Sequence, residues 1–401
     1  MIEPAPRLQQ LPGYPLAELP GIKRRLVEQG HDVIDLGAGD NDRPPPAVAV
    51  EALRSALADP ALSKYGFQQG LPAFRRAIAD YLRRRFEVEV DPATETLPLI
   101  GSKEGLAHLP FAVVEPGDVV VLPEPGYQAY LGGAVFSGAV PHVVPLEPAK
   151  GFLLELGDLP AELLRRTRLV YLNYPNNPTS ATAPRDYLER TVALCRRYDI
   201  LLAYDNAYCD ITFDGYRAPG ILEIPGAREV AVEFFSLSKS FSMTGWRLGF
   251  AAGRPELIGA LTRVKSYVDT GPFLAVQQAG AVALESSAEL VAPVCAELVA
   301  RRDVAVEALA AIGLPVEPPR ATMYLWIRLP EGIFSRPFAR SALEDQGVLV
   351  LPGAAFGPGG EGYFRIALVT DPARIREAVS RLGHTLRTLE EAGDHPVEAS
   401  G

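Results

Sequence analysis

The stretch FFSLSKSFSMTGWRLGF, residues 234–250, places a lysine between serines, directly after an apolar run and shortly before a glycine and an arginine. The chain has only six lysines. Four of them lie in polar, loop-like or helical settings that are typical of solvated surfaces, namely Lys23, Lys64, Lys150 and Lys265. Lys103 and Lys239 differ, because each follows a predicted strand in a loop that contains Gly or Ser. Since ligands bind outside the carboxyl ends of strands in open α/β sheets, we expect both to face a ligand.

Seven short apolar runs surround this lysine in sequence and alternate with helical patterns between residues 95 and 253. They read TLPLI, DVVVL, VPHVV, RLVYLNY, ILLAYD, AVEFFS and LGFAAG. Such alternation predicts an α/β sheet with mostly parallel strands covered on both faces. Only the quoted motif separates the last two runs, which leaves no room for a helical crossover. We therefore expect one of the last three strands to run antiparallel.

The pattern changes after residue 254 and indicates a second, smaller α+β unit. Three long helices are predicted near residues 255–268, 272–286 and 288–312. They are followed by the strand-like segments TMYLWIRL, GVLVLPG and GYFRIALV and by a final helix near 372–391. We predict an N-terminal arm with part of the small domain at 1–45, a large domain at 46–280, a small C-terminal domain at 281–391 and a flexible tail at 392–401.

Composition favours small-molecule chemistry. With 401 residues and 48% hydrophobic residues the chain can bury a large core. Its net charge of −10 and the lack of basic blocks argue against nucleic-acid and anionic-membrane partners. The first residues resemble no leader and no apolar run approaches ~20 residues, so a cytoplasmic location is expected. Neither the three cysteines nor the five histidines show metal-ligand spacing, so no metal is expected and the cysteines are interpreted as packing residues.

Other polar side chains follow predicted strands at the same edge of the sheet. Asp205 and Tyr208 follow ILLAY, Asn177 follows LVYLNYPN, and Ser102 follows LPLIG. Together with Lys239 they bring an acid, an amide, hydroxyls and an amine to one place. That set suits a pyridine-aldehyde cofactor, because an amine forms the imine, a carboxylate pairs with the ring nitrogen and helix N-termini hold a phosphate.

Four motifs now point to a family. SLSKSFSMTGWRLGF resembles the lysine motif of the class I/II pyridoxal-phosphate aminotransferases of fold type I, and YPNNPTS, YDNAY and YFRIALV resemble its other signatures in the same order. The resemblance extends from about residue 30 to 390. Within the family, GSKEGLAHLP, SMTGWR and VDTGPFLAVQ most resemble the LL-diaminopimelate aminotransferase group. The resemblance to the family implies an α/β fold with a mostly parallel seven-stranded sheet in a large domain plus a smaller α+β domain.

The resemblance also implies roles around the cofactor, pyridoxal 5'-phosphate. Lys239 is similar to the Schiff-base lysine that also shuttles the substrate proton, and Asp205 to the acid that keeps the pyridine nitrogen protonated. Tyr208 and Asn177 would hydrogen-bond the phenolic oxygen of the ring. Tyr127 resembles the aromatic residue that stacks on the ring.

The phosphate and the substrate would have further partners. The phosphate would meet Ser102, Lys103, Ser236 and Arg247, and Tyr65 resembles the tyrosine that reaches the phosphate of the neighbouring subunit. The resemblance thus implies a homodimer. Arg365 would clamp the substrate α-carboxylate as a bidentate pair, with Asn177 and the backbone near Gly39 completing that pocket.

The implied activity is a transaminase of EC class 2.6.1, which moves an amino group from an amino acid to a 2-oxo acid, with 2-oxoglutarate as the expected acceptor and a diaminopimelate-type donor. The chain departs from the family pattern at Ser180, where glycine is usual, at Asn41, where proline is common, and at Pro110, which predicts a helix kink.

Alternatives stay open at this point. Taken alone, Asp205 and Asn177 could be turn residues, Ser102 an N-cap and Tyr65 a loop anchor. A carbon-sulfur β-lyase would use the same cofactor and fold. A nucleotide-dependent oxidoreductase lacks its G-x-G-x-x-G, and a regulator with an aminotransferase-like domain lacks a basic DNA-binding segment.

Overall fold

The structure, a computed structural model, describes residues 3–11, 19–67 and 69–393. Parts of the predicted N-terminal arm, residues 1–2 and 12–18, and residues 394–401 of the predicted tail lie outside the described residues. The strands are β1 (Ile34–Asp35), β2 (Thr96–Leu99), β3 (Val119–Glu124), β4 (Val140–Pro145), β5 (Thr167–Asn173), β6 (Leu201–Asp205), β7 (Ala231–Ser236), β8 (Gly249–Gly253), β9 (Tyr324–Arg328), β10 (Val348–Leu349), β11 (Leu351–Pro352) and β12 (Tyr363–Ala367).

The helices occupy the connections between the strands and both ends of the described chain. They are α1 (Pro6–Gln9), α2 (Leu19–Glu28), α3 (Ala47–Leu57), α4 (Pro72–Phe86), α5 (Ser102–Val113), α6 (Gln128–Ser137), α7 (Ala161–Arg166), α8 (Arg185–Tyr198), α9 (Ala227–Val230), α10 (Leu237–Ser240), α11 (Pro255–Val268), α12 (Leu274–Glu285), α13 (Ser287–Ala311), α14 (Ser335–Gln346) and α15 (Pro372–Gly393). Pro110 lies inside α5, three residues before its end, and the predicted kink stays a prediction.

A seven-stranded sheet forms the centre of the large unit, in the order β2-β8-β7-β6-β5-β3-β4. All neighbouring pairs are parallel except those made by β8, which runs antiparallel to both β2 and β7. This confirms the predicted seven strands and the antiparallel strand among the last three. The reason is the short connection between β7 and β8, which carries the lysine motif.

Both faces of this sheet are buried, as expected for parallel strands whose sequences are apolar at successive positions. Along β3, Val119 and Val121 belong to one buried cluster, while Val120 and Leu122 belong to a second cluster on the opposite face. Side chains of α4, α8 and α12 complete the first cluster, and those of α5, α6 and α11 complete the second. The sheet is therefore the middle of three layers, and its strand ends are held rigidly.

The smaller unit has a three-stranded antiparallel sheet, β11-β12-β9, packed with α13, α14 and α15 around its own buried cluster. The N-terminal segment joins it, because β1 pairs in parallel with β10 and α2 packs Leu19 and Ile22 against Leu343 and Leu351. The strand predicted as GVLVLPG is divided into β10 and β11, which belong to different sheets. The predicted α/β fold with a second α+β unit is confirmed, whereas the domain boundaries stay a prediction.

No helix among the described residues is both long enough and apolar enough to cross a membrane.

Candidate active site

A cleft with a volume of about 750 Å³ lies at the carboxyl ends of β5, β6 and β7, where the large unit meets β1, β9 and β12 of the smaller one. Every site residue predicted from the sequence lines this cleft except Tyr65. The predicted residues that line it are Gly39, Ser102, Lys103, Tyr127, Asn177, Asp205, Tyr208, Ser236, Lys239, Arg247 and Arg365. The parallel strands bring the residues of the large unit together because their carboxyl ends share one edge, whereas Gly39 and Arg365 come from the smaller unit.

Lys239 stands in the short helix α10, immediately after β7, with its side chain half buried. Its Nζ donates a hydrogen bond of 2.5 Å to the backbone oxygen of Gly39. A side chain at residue 39 would place a Cβ 2.5 Å from the hydroxyl of Tyr324. Glycine therefore lets Tyr324 lie close to this backbone. The amine is thus held inside the cleft by backbone alone and has no carboxylate within 4 Å among the described residues.

Asp205 ends β6 and is buried. One of its oxygens, Oδ2, accepts a hydrogen bond of 2.8 Å from the hydroxyl of Tyr130, whereas Oδ1 is buried without a described hydrogen-bond partner. Burial raises the pKa of Asp205 to about 6, although the Tyr130 bond opposes the rise. A buried carboxylate oxygen without a partner is costly, which indicates a place for a ligand that donates a proton or a hydrogen bond.

The start of α5 forms a cradle for an anion. Gly101 precedes the helix with a left-handed φ of 73°, and a Cβ there would lie 2.5 Å from Nη2 of Arg247. Arg247 donates a 2.8 Å bond to the backbone oxygen of Thr244. Burial, and then the charge of Arg247, lower the pKa of Lys103. Two cations at a helix N-terminus, with no carboxylate within 4 Å in the described part of the chain, fit a phosphate.

Ser102 and Ser236 border this cradle in different ways. Ser102 is the first residue of α5, so the N-cap is Gly101 and the alternative interpretation of Ser102 as a cap is wrong. Ser236 caps α10, since its hydroxyl accepts a 3.2 Å bond from the Ser238 backbone N–H. The hydroxyl of Ser236 therefore forms a local hydrogen bond, and the residue also lines the cleft.

Arg365, at the centre of β12, crosses into the cleft from the smaller unit and is only 4% exposed. Its Nη1 donates 2.7 Å to the side-chain oxygen of Asn177 and its Nη2 donates 2.8 Å to the backbone oxygen of Gly37. The guanidinium lies 4.0 Å above the ring of Tyr324, and Nε has no described partner. A buried arginine without a carboxylate partner among the described residues fits the clamp for a substrate carboxylate.

Tyr208 and Tyr324 form a hydroxyl pair in the floor of the cleft, 3.1 Å apart. Burial raises the pKa of Tyr208 well above its usual value. Burial alone would also raise the pKa of Tyr324, but the charges of Lys239 and Arg365 outweigh it and lower that pKa. The pKa of Tyr324 is therefore lower than that of Tyr208, so its hydroxyl is the more acidic of the two.

Among the residues of the site that were missed in the sequence, three contact or polarise the predicted ones. Tyr130 holds Asp205, Tyr324 lies between Lys239 and Arg365, and Asn173 donates a 2.7 Å bond to the backbone oxygen of Asp205. Asn173 ends β5, so the rule that selected Asp205 could have found it. Tyr130 lies within a helix and Tyr324 within a strand of the other unit, and no local sequence signal marks either.

The prediction that Lys265 is a solvated lysine is wrong. Its side chain is 0% exposed, and Nζ lies 2.7 Å from Glu104 and 3.0 Å from Asp269. The nearest potential metal-ligand atoms, those of Glu104, His108 and Asp269, lie within 4.8 Å of one another. Because the Lys265 ammonium already bonds to two of the three, this cluster is an ion-pair network that ties α11 to α5.

The arrangement fits a pyridine-aldehyde-phosphate cofactor on the strength of its own geometry. The cleft combines one half-buried amine, one buried carboxylate oxygen without a partner, a cationic cradle at a helix start and a second buried cation for a carboxylate. Tyr127 lies beside the cradle, with Nζ of Lys103 5.6 Å from its ring centre. These are the groups that such a cofactor and an amino-acid substrate require.

Comparison with known proteins gives matches along nearly the whole chain. Residues 31–382 match the family model described as aminotransferase class I and II. The LL-diaminopimelate aminotransferase of Desulforudis audaxviator is 47% identical over 378 residues, which cover 94% of this chain and 96% of that protein. The LL-diaminopimelate aminotransferase of Aquifex aeolicus is 45% identical over 382 residues, covering 95% and 99%.

Solved structures give the same picture. A probable N-succinyldiaminopimelate aminotransferase from Thermus thermophilus superposes with a TM-score of 0.88 at 40% identity, covering 92% of this chain and 99% of that one. A double mutant of Thermus thermophilus aspartate aminotransferase superposes with a TM-score of 0.88 at 30% identity, covering 96% and 100%. The likeness therefore includes both the central sheet and the smaller unit.

Proposed function

Because the chain belongs to the class I and II aminotransferases, a family of pyridoxal-phosphate-dependent transaminases, we propose that it moves the amino group of a diaminopimelate-type amino acid to 2-oxoglutarate. The predicted family, fold, enzyme class and cofactor are confirmed by the comparisons. The names of relatives at 45–47% identity support the donor class. The β-lyase alternative gains no support, since the relatives above carry aminotransferase names.

The observation that carries the proposal is the meeting of Lys239 and Asp205 in one cleft with two separate anion sites. Asp205 Oδ1 would hold the protonated ring nitrogen of the cofactor, and Lys239 would hold its aldehyde end until the substrate amine takes that place and leaves the lysine free. Ser102, Lys103, Ser236 and Arg247 would hold the phosphate, Tyr127 would stack on the ring, and Tyr208 and Asn177 would bond its phenolic oxygen. The bound cofactor supplies an electron sink that stabilises negative charge at the substrate α-carbon.

The protein's own residues supply binding and proton transfer. Arg365 would hold the substrate α-carboxylate through its two Nη groups, beside Asn177 and the backbone that runs from Gly37 to Gly39. Lys239 would remove the proton from the α-carbon, from a position fixed by Gly39. The amine is close to Tyr324, whose hydroxyl would polarise the same region.

The proposal includes a homodimer with Tyr65 acting in trans, in the cytoplasm. Tyr65 lies outside the cleft and is 70% exposed, beside an exposed Phe67. Tyr267 is 86% exposed, and Phe273 is also exposed. The segment that carries Tyr65 and Phe67 touches the start of α12, directly after Phe273, since a Cβ on Gly66 would lie 2.9 Å from Leu274. An aromatic patch of this kind on the surface of one subunit supports a partner surface.

Replacement of Lys239 by alanine tests the assignment. Lys239→Ala should lower the rate of transamination at least about a thousandfold while pyridoxal phosphate still binds non-covalently through the phosphate cradle. Borohydride reduction followed by peptide mapping should label residue 239 in the wild type and nothing in the variant.

The matched control is Lys150→Ala, since Lys150 makes only surface ion pairs. That control should keep both the label and the rate. A label on Lys103, or a Lys239→Ala variant within about tenfold of the wild-type rate, would overturn the role of Lys239.

A further inference from the structure

Lys23 occupies an unusual place for a lysine in a surface helix. Leu19, Ile22 and Leu26 follow the spacing of one helical face, and all three pack on the cluster that contains Leu343. Lys23, four residues after Leu19, belongs to the same inward face. Leu19, Pro20 and Lys23 consequently form part of the cleft wall.

The ammonium of Lys23 meets a carboxylate that also lines the cleft. Nζ lies 2.7 Å from Oδ2 of Asp35, the last residue of β1. The other oxygen of Asp35 accepts bonds from the backbone N–H groups of Gly37, at 2.8 Å, and Ala38, at 3.1 Å. The carboxylate is thereby fixed, while Lys23 uses one of its three N–H donors within the described residues.

This pair is connected to the predicted substrate clamp through a single residue. Gly37 donates its N–H to Asp35 and accepts a 2.8 Å bond from Arg365 on its carbonyl oxygen. One residue spans at most ~3.6 Å, so Arg365 and the Asp35 carboxylate are no more than about 9 Å apart. The pair is therefore close enough to Arg365 for one amino acid to contact both, with its α-carboxylate at the arginine and a second polar group at the pair.

We propose that Lys23 and Asp35 form the site for the far polar group of the substrate, with Lys23 binding a carboxylate and Asp35 binding an ammonium. This inference rests on the proposed transaminase function and adds the residues that select the substrate. A dicarboxylic 2-oxo acid would use Lys23 alone. A diaminopimelate-type donor carries both an ammonium and a carboxylate at its far end and would use both members of the pair.

A fixed ion pair suits this task because both partners keep bonding capacity. Two N–H donors of Lys23 stay available among the described groups, and Asp35 Oδ2 bonds only to Lys23. The ammonium and carboxylate of a zwitterionic end group would form, with Asp35 and Lys23, a ring of four alternating charges. A neutral end group would form no ion pair with either residue. The site would therefore accept two chemically different substrates in alternation and reject apolar ones.

The test compares three donors: LL-diaminopimelate, L-glutamate and L-norvaline, whose side chain is apolar. Single-turnover rates, followed by the visible absorption of the cofactor-loaded enzyme, give a second-order rate constant for each donor, including slow ones. In Lys23→Met, the ratio of the glutamate to the norvaline constant should fall about tenfold or more, and so should the diaminopimelate to norvaline ratio. In Asp35→Asn, the diaminopimelate to glutamate ratio should fall about tenfold, because only diaminopimelate carries the far ammonium.

The control is Lys150→Met, which removes another lysine from an ion pair with an aspartate, but on the open surface. It should leave all ratios unchanged. Wild-type enzyme that converts neither diaminopimelate nor glutamate would refute the proposed function itself. Wild-type conversion with unchanged ratios in Lys23→Met, or an equal loss for all three donors in both variants, would overturn the Lys23–Asp35 site and leave the transaminase intact.

Discussion

At the scale of single residues, the departure from the family pattern at Ser180 is compensated by hydrogen bonds. Ser180 replaces the usual glycine and adopts a left-handed φ of 60°. Its hydroxyl bonds to Thr322 at 2.7 Å and to the backbone oxygen of Tyr324 at 2.8 Å. The hydroxyl thus fastens the loop that carries Asn177 to the strand that carries Tyr324, which offsets the backbone strain.

Ser180→Ala should lower the free energy of unfolding by about 1–3 kcal/mol, because the strain stays and two buried bonds are lost. The free energy of unfolding of Ser180→Gly should lie between those of wild type and Ser180→Ala, since glycine relieves about 1 kcal/mol of left-handed backbone strain. Urea unfolding at fixed protein concentration measures both. Ser266→Ala, which removes an exposed hydroxyl on α11, should stay within about 0.5 kcal/mol of wild type. If Ser180→Ala matched that control, the interdomain fastening would be refuted.

At the scale of secondary-structure elements, the strand ends carry the site and the strand interiors carry a second polar network. Glu233 lies inside β7, 1% exposed, and accepts bonds from Asn206 at 2.7 Å and from the Leu222 backbone at 3.1 Å. Burial raises its pKa to about 7, although these bonds oppose the rise. The network connects β7 to the residue that follows Asp205, so it supports the active-site strand from behind.

Stability should depend on pH through Glu233. Its folded-state pKa lies above its unfolded value near 4.5, so the folded state binds more protons between about pH 4.5 and 7. The contribution of Glu233 to stability is consequently greatest below that range, and about 3 kcal/mol of it is lost as pH rises through the range. Asp205, raised to about 6, contributes in the same direction.

In Glu233→Gln, the loss of stability between pH 5 and pH 8 should be smaller by about 2.5 kcal/mol, measured by urea unfolding of the cofactor-free protein. The loss should persist in Glu256→Gln, in which an exposed carboxylate is removed. An identical pH dependence in Glu233→Gln and wild type would show that Glu233 is ionised throughout.

At the scale of the whole molecule, Tyr65 is the predicted site residue that the single chain leaves outside its cleft. Its exposed ring, together with the exposed rings of Phe67 and Phe273, supports a partner subunit that covers this patch and receives Tyr65 at its phosphate cradle. The active unit would then be complete only as a dimer.

Mixing two inactive variants tests this arrangement. A heterodimer of Lys239→Ala and Tyr65→Ala subunits would contain one site with both Lys239 and the partner-derived Tyr65 intact. After unfolding and refolding together in equal amounts, half of the dimers are mixed, so activity should recover to about a quarter of the wild-type level. Each variant refolded alone is the control. No recovery above the sum of the two controls would mean that Tyr65 serves its own subunit or none.

The pattern of residues along the chain predicted the seven strands, the antiparallel strand after the lysine motif and the residues at strand ends that line part of the cleft. Those features are local: apolar runs define strands, the short connection forbids a helical crossover, and strand ends in an α/β sheet converge. The family motifs supplied the roles of Lys239, Asp205 and Arg365 as predictions, since similar short patterns accompany the same chemistry.

The contacts across the cleft from these residues depend on tertiary packing. Tyr324 reaches Tyr208 across 116 positions of sequence, Lys265 reaches Glu104 across 161, and Lys23 faces the cleft because α2 packs on the smaller unit. No local pattern encodes such contacts, because they depend on how separate elements pack rather than on the residues next to each one. For the same reason a lysine such as Lys265, whose sequence context is typical of the surface, can be fully buried when its neighbours in space supply carboxylates.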